Sequence, residues 1–537
     1  MSSRLLENSH NPDGNIFLRA LKKVISGSYS RLLNWSLRHP LPALLFAGLL
    51  FGASLYIPKL IGFALFPKSE KPMFRVTFET PEGSSLIETN RVARVVENEL
   101  KKLPQIKYFS TSVGRGNPRM YYNVIERSES SNFTEIFVQL QEDTRPPEKG
   151  TVIDQLRERL RYIPNANVEV IDFEQGPNTE APISIRVLGD DLEKLRDVAA
   201  DVEKILKETP GTIYVKNPLT TRRTDLRVKI NKEKAGLLGI SVADINRTVR
   251  LAIAGLNIGT FKDANGDDYT INITLPKGKI TTPDVLNNLY INTFVGNAVP
   301  LRQIAEVQFE TSTNQIRHYD RDRFVTISAF IKSGFLVDNV YKEIITKLDK
   351  YQFPNDFSYK AAGELEAREK SFGGLGTIIL ITAFGFLGVL ILEFGTFKSS
   401  LIVLSVIPLG IIGAFTALWV VGYPLSFVAV IGLIALIGIE VKNSILLVDF
   451  TNQLRAEGRP LLEAIQEAGE IRFVPIVLTS MTAIGGLIPL AIEANPLYSP
   501  LAWVLIGGLI SSTLLSRIIT PVLYRLIPPK VEVKSEE

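Results

Sequence analysis

Hydrophobic positions along the chain follow two regimes. Six runs are almost continuously apolar: residues 40–57, 377–392, 401–422, 424–447, 475–492 and 501–515, the last extending to 527 past Arg517 and Arg525. Each approaches the roughly 20 residues that carry an α-helix across about 30 Å of hydrocarbon. A buried helix of a soluble core would explain one such run, whereas six predict six transmembrane helices. Between the first and second runs the pattern alternates instead. Phe74-Arg75-Val76-Thr77-Phe78 has the period of a strand. Ser85 and Glu88 then form a helix-start signal, and Val92, Val96, Leu100 and Leu103 make one helical face. Strand-like pieces at 106–113 and 134–140, a helix at 152–162 and a strand at 168–171 complete a β-α-β-β-α-β order. That order recurs in two pieces, 183–215 and 325–361, around an insert whose helix opens at Ser241-Val242-Ala243-Asp244.

The fold class expected is therefore an α+β membrane protein. Six transmembrane helices accompany a large region of split β-α-β (ferredoxin-like) subdomains between helices 1 and 2. The boundaries read as an amphipathic segment at 1–38, helix 1 at 39–60, one subdomain at 68–175, a second at 181–231 plus 319–368, its insert at 232–318, helices 2–6 at 375–528 and a tail at 529–537.

Composition sharpens this picture. Of 537 residues, 45% are hydrophobic and 22% charged, with a mean hydropathy of +0.14, an average over two unlike solvents. Sixty basic and 56 acidic residues leave a net charge of only +4, too balanced to argue for nucleic acid. The absence of cysteine excludes disulfide scaffolds and thiolate metal sites. No glycine loop has the lysine of a phosphate cradle. Basic residues flank helix 1 (Arg19, Lys22, Lys23, Arg31, Arg38) and the link between helices 4 and 5 (Arg455, Arg459, Arg472), whereas 422–424 and 493–500 have none. Both termini are thus expected in the cytoplasm and the large 68–370 segment in the periplasm, in a multi-pass inner-membrane protein. The start of the chain lacks a cleavage site, so helix 1 directs insertion. Residues 16–37, with Phe17, Leu21, Val24 and Ile25 against a basic edge, suit the plane of the lipid bilayer interface.

Candidate chemistry lies where charge enters the apolar runs. An ionised side chain at the centre of a membrane helix costs about 2.5–3.5 kcal/mol on insertion scales, so it requires a partner or a water-filled cavity. Lys442 sits about five turns into run 4, with Asn443 beside it. Glu440, two residues away, points to another side of the helix. Asp449 shares the face of Lys442 but lies nearer the cytoplasm. Arg472 and Thr479, seven apart, share a face of helix 5. Lys442, Asn443, Arg472 and Thr479 are candidates for a proton relay, with Glu440 and Asp449 as possible further members. Snorkelling of Lys442 is the alternative, and the apolar residues 445–448 argue against it. The chain supplies no other acid at suitable depth, so a partner polypeptide is expected to carry it.

The stretches Gly438-Ile439-Glu440-Val441-Lys442-Asn443-Ser444-Ile445-Leu446-Leu447-Val448-Asp449-Phe450 and Arg472-Phe473-Val474-Pro475-Ile476-Val477-Leu478-Thr479-Ser480 resemble consecutive helices in the C-terminal half of resistance-nodulation-division (RND) efflux pumps of the acriflavine-resistance type. Residues 233–246 resemble the start of the docking-domain insert of the same half. The resemblance implies a trimeric inner-membrane pump, not an enzyme, driven by the proton gradient without a cofactor. It would work with a periplasmic adaptor protein and an outer-membrane channel, and would export amphiphilic organic compounds or drugs. It also implies that Lys442, Asn443, Arg472 and Thr479 occupy relay positions. Family members usually carry twelve membrane helices and paired aspartates in the N-terminal half. Six helices without that pair imply either a half pump joined by an N-terminal-half RND subunit bearing those aspartates, or a fragment. Only Phe109 and Phe137 fall at positions plausible for the family's phenylalanine-rich substrate pocket. Four methionines, three histidines and no cysteine argue against a soft-metal relay. A protein-export accessory subunit and a membrane-anchored periplasmic binding module remain as alternatives.

Overall fold

A computed structural model of the chain describes residues 29–220, 222–276, 284–294, 296–313 and 315–531. Residues 16–28 of the expected amphipathic segment, and 532–537 of the tail, lie outside the described residues. The chain forms two compact units. The larger takes in the described residues up to Gly189, Asp197–Lys216 and those from Thr326 onward, and the smaller takes in Asp190–Arg196 with the described residues of Asn217–Val325.

Helix α1 (Ser30–Arg38) buries Leu33 and Leu37, and the Tyr29 hydroxyl before it donates to the Arg517 carbonyl at 3.3 Å. The Leu33–Leu37 face is thus covered by protein, whereas Leu32 and Trp35 stay exposed. Helix α2 (Pro40–Ser54) is apolar all round, as a lipid-facing helix must be. The chain then enters a four-stranded antiparallel sheet built from β1 (Met73–Glu79), β2 (Ile106–Val113), β3 (Phe133–Leu140) and β4 (Asn167–Asp172), in the order β2-β3-β1-β4. Helices α3 (Leu86–Leu100) and α4 (Pro146–Leu160) complete the β-α-β-β-α-β order. The Ser85 side chain accepts the Glu88 N–H at 3.3 Å, satisfying a free donor at the start of α3. Phe74, Val76, Phe78, Ile136, Val138 and Val170 bury one sheet face against Val92, Val96, Leu100, Leu156 and Leu160. Each such side chain contributes about 1.5–3 kcal/mol on full burial.

The other face of this sheet carries paired charges beside a small apolar cluster. Glu135 accepts from Arg75 at 3.3 Å and from the Asn117 N–H at 2.8 Å, and Glu169 meets Lys216 at 2.9 Å. At its edge Lys149, 2% exposed, donates to Asp172 at 2.8 Å and to the carbonyls of Ser69 and Lys71.

Just beyond β4, the backbone of Glu174 bridges Lys68. Burial, reinforced by the Glu364 carboxylate, pushes the Glu174 carboxyl up to about 7. The folded chain therefore binds a proton that the unfolded chain has released between its ordinary value of 4.5 and about 7. Stability from this group falls as pH rises through that window and is level above it. Glu174→Gln is expected to flatten this slope and to raise stability at neutral pH, as read by thermal unfolding of the detergent-solubilised chain. An unaltered slope would count against it.

A second sheet begins with β5 (Ile183–Leu188), helix α5 (Leu192–Lys207) and β6 (Thr212–Lys216). The smaller unit follows in the chain. Strand β7 (Arg222–Ile230) leads to α6 (Lys232–Leu237) and α7 (Val242–Ile253), a hairpin of β8 (Leu256–Lys262) with β9 (Asp268–Ile273), and β10 (Ala305–Thr313), which pairs antiparallel with β7. Ser241 caps α7 by accepting the Asp244 N–H at 3.1 Å. Ala235, Ile240, Ile245, Leu286, Leu301 and Ile304 form the core of this unit. Strand β11 (Asp322–Ile331), helix α8 (Val337–Leu348) and β12 (Ser358–Gly363) complete the second sheet, in the order β6-β11-β5-β12.

The remaining chain is helical: α9 (Leu375–Phe394), α10 (Phe397–Leu404), α11 (Val406–Val421), α12 (Phe427–Ala456), α13 (Leu461–Ile471), α14 (Phe473–Ile492) and α15 (Ser499–Leu526). Among the described residues six helical stretches are long and apolar enough to cross a membrane. Lipid offers little hydrophobic drive between helices, so close backbone packing decides which of them meet. Helices α11 and α15 meet at glycine. A Cβ on Gly413 would lie 2.0 Å from the Gly507 carbonyl oxygen, and one on Gly508 would lie 2.2 Å from Leu436 of α12. These contacts make α11, α12 and α15 the centre of the bundle.

Candidate charge-relay site in the membrane helices

Helix α12 begins where the Ser426 hydroxyl accepts the Ala429 N–H at 3.1 Å. It runs 30 residues, past the end of the apolar run. Its inward stripe is Leu436, Glu440, Ser444, Leu447, Val448 and Thr451, all buried. Two residues rotate the helix by about 200°, so Lys442 faces away from Glu440. Lys442 is exposed on the surface of the bundle, Asn443 is half-buried beside it, and Lys442 forms no ion pair or hydrogen bond with a described residue. Asp449, about 10 Å further along the axis, accepts from Gln453 at 2.8 Å and does not pair with the lysine.

Arg472 sits at the junction of α13 and α14, with its guanidinium 4.7 Å from the Phe450 ring centroid of α12. The aromatic face offsets part of the cost of holding that cation at a helix mouth. Thr479 is exposed on α14 and donates to the Pro475 carbonyl at 2.8 Å. Lys442 and Thr479 are thus exposed and Asn443 and Arg472 half-buried, with the Arg472 Nε itself buried and without a hydrogen-bond partner among the described residues.

Glu440 lies elsewhere, in the interior. It is 2% exposed, and the Ser512 hydroxyl and the Arg517 guanidinium of α15 face it. Arg517 is also 2% exposed and donates to the Arg472 carbonyl at 3.3 Å. Sequence reasoning missed Arg517 as a site residue. Its signal was an arginine within an otherwise apolar stretch.

Phe109 and Phe137 do not line one pocket. Register pairs Phe109 with Val138 and Ser110 with Phe137, so the two rings leave opposite faces of the sheet. Phe109 packs on the helix-covered core. Phe137 joins Met73, Tyr121 and Phe173 on the other face, with Tyr121 stacked on Phe173 at 4.8 Å. The register thus places the two residues expected at pocket positions on opposite faces of one sheet.

Residues 1–528 match the AcrB/AcrD/AcrF family. The chain belongs to that family. It is therefore a member of the RND transporters, a family of efflux pumps and not of enzymes. Relatives within it include the swarming motility protein SwrC of Bacillus subtilis (strain 168), 28% identical over 94% of this chain and 47% of its own length. Another is the cobalt-zinc-cadmium resistance protein CzcA of Cupriavidus metallidurans, 27% identical over 94% of this chain and 48% of its own. A crystal structure of a heavy metal efflux pump matches with a TM-score of 0.78 at 23% identity, over 95% of this chain and 52% of that one, which shows a shared fold. This member of the AcrB/AcrD/AcrF family spans about half the length of the relatives it matches.

Proposed function

We propose that this chain is one half of a proton-driven RND exporter, paired with an N-terminal-half subunit that supplies mid-membrane aspartates. One observation carries the reading: Lys442 stands on an outer face of α12 without an ion pair to any described residue. A cation at that depth costs about 2.5–3.5 kcal/mol unless an acid or water meets it. An aspartate of a second half would meet the ammonium when ionised and release it when protonated. Asn443 and Thr479 would orient the pair by hydrogen bonding, and Arg472 would hold the cytoplasmic mouth.

The pump would sit in the inner membrane with both termini cytoplasmic and the strand-rich region periplasmic. It would assemble as a trimer with a periplasmic adaptor and an outer-membrane channel. Two cargo readings follow. Heavy-metal cations are favoured by the names of CzcA and of the heavy metal efflux pump. Amphiphilic organic compounds are favoured by the scarcity of soft ligands, with four methionines, three histidines and no cysteine.

The test is reconstitution of the chain with an acid-bearing half in vesicles under an imposed proton gradient, loaded either with Zn²⁺ or with an amphiphilic dye. Export of one cargo is expected, and only when both halves and the gradient are present. Export without the second half, or without the gradient, would reject the proposal.

A further inference from the structure

The face of α12 opposite Lys442 bears a carboxyl group for which the relay proposed above has no use. Glu440 Oε1 is buried and makes no hydrogen bond to a described group, and the same holds for Ser444 Oγ on α12 and for Arg517 Nη2 and Thr520 Oγ1 on α15. Buried polar atoms in proteins are nearly always partnered, by protein or by water. Four unpartnered ones between two packed helices therefore mark a hydrated seam.

The spacing supports this. Glu440, Ser444 and Thr451 lie four and seven residues apart on one stripe of α12, opposite Ser512, Arg517 and Thr520 of α15. Near the far end of the seam, Thr451, Thr520, Pro521 and Tyr524 line a small cavity with room for about one water molecule. Beyond it the Tyr524 hydroxyl bonds to Asn452 and accepts from Arg455 at 3.2 Å, where α12 leaves the apolar layer.

The groups around Glu440 are few. Helix α15 contributes Ser512 and Arg517. Helix α11 contributes Gly410, on which an added Cβ would lie 3.6 Å from Glu440 Cγ, and so brings no charge. No other described residue adds an electrostatic influence on Glu440. Arg517 is shared: it reaches the Arg472 carbonyl, its guanidinium is 5.6 Å from the Phe473 ring centroid, and Tyr29 lies behind it. It attracts Glu440 without satisfying Oε1.

We propose that Glu440 is a second proton-binding site, contained wholly in this half and reached along the Ser444–Thr520–Thr451 seam from the Tyr524 end. That end is cytoplasmic in the orientation proposed above, the one respect in which the inference rests on that reading. A proton arriving through the seam converts the carboxylate to the neutral acid, while Arg517 stays charged. Arg517 then loses its acidic neighbour in the seam, and its remaining contacts are the Arg472 carbonyl and the Phe473 ring. Charge on the inner face of α12 is thereby linked to the position of α14.

Infrared difference spectroscopy on the full chain in lipid vesicles tests this. A protonated-carboxyl band is expected to disappear reversibly as pH rises, to be missing in Glu440→Gln and to shift in frequency in Glu440→Asp. Thr520→Val is expected to slow hydrogen–deuterium exchange of that band several-fold. If Glu440→Gln does not fold, the Glu440→Asp shift alone decides the assignment. A band unchanged in both variants, or no titrating band at all, would leave Glu440 as a permanently charged structural partner of Arg517 and overturn the proposal. An unchanged exchange rate in Thr520→Val would overturn the path. None of these readouts requires transport, so export failing in reconstitution while the band titrates rejects only the relay reading, and the reverse rejects only this one.

Discussion

Lys442→Ala is expected to lower gradient-driven export by about 100-fold or more in vesicles containing both halves, with the amount of inserted chain unchanged or increased. The magnitude follows from the charge. An ammonium that balances an acid within the membrane is worth the about 2.5–3.5 kcal/mol that an unbalanced charge costs there, and each 1.36 kcal/mol is about tenfold. Without it, the partner's aspartate holds its proton too tightly to release it in each cycle. Insertion should not suffer, because the substitution removes a penalty from α12. Lys442→Arg keeps the charge but widens the head group, and should fall between the two. Export in Lys442→Ala equal to that of the unmodified pump would remove the relay from the mechanism.

Lys149→Met should destabilise the first strand-rich subdomain by about 3–5 kcal/mol, the range for removing one partner of a buried ion pair. Lys149 and Asp172 are each under 10% exposed and 2.8 Å apart, and the lysine also holds two backbone carbonyls. Removing the lysine leaves a buried carboxylate uncompensated and two acceptors free. The double change Lys149→Met with Asp172→Leu should recover most of the loss, since apolar replacement of a whole buried pair is often neutral or stabilising. Chemical denaturation followed by tryptophan-independent circular dichroism reads both. A single-variant loss under about 1 kcal/mol would show that the pair is not the anchor its burial suggests.

Much of the fold was legible because each solvent imposes its own period. Apolar runs located the long helices, strand alternation located β1 and β3, and the start signal at Ser85 located α3. Boundaries were less legible. The run at 424–447 becomes a helix ending at Ala456, because polar residues can extend a helix beyond hydrocarbon without a break in hydrogen bonding. The run at 401–422 becomes two helices that meet at Ser405.

At the site, helical rotation alone separated Glu440 from Lys442. Arg517 was not legible, since one arginine in an apolar run reads equally well as a snorkelling residue. Only the packing of α15 against α12 and the seating of Tyr29 on its backbone bury it. The facing of Phe109 and Phe137 was not legible for a similar reason. Their relative facing depends on cross-strand register, which neither strand encodes by itself.

The glycine contact between α11 and α15 limits how this bundle can work. With less than a methyl group's clearance at Gly413 and Gly507, those two helices cannot slide or rotate past one another without a backbone collision. They form a keel. If the chain exports cargo as proposed, the rearrangement would have to be borne by segments fastened less tightly, such as α9, whose surface is almost entirely uncovered by the rest of the chain.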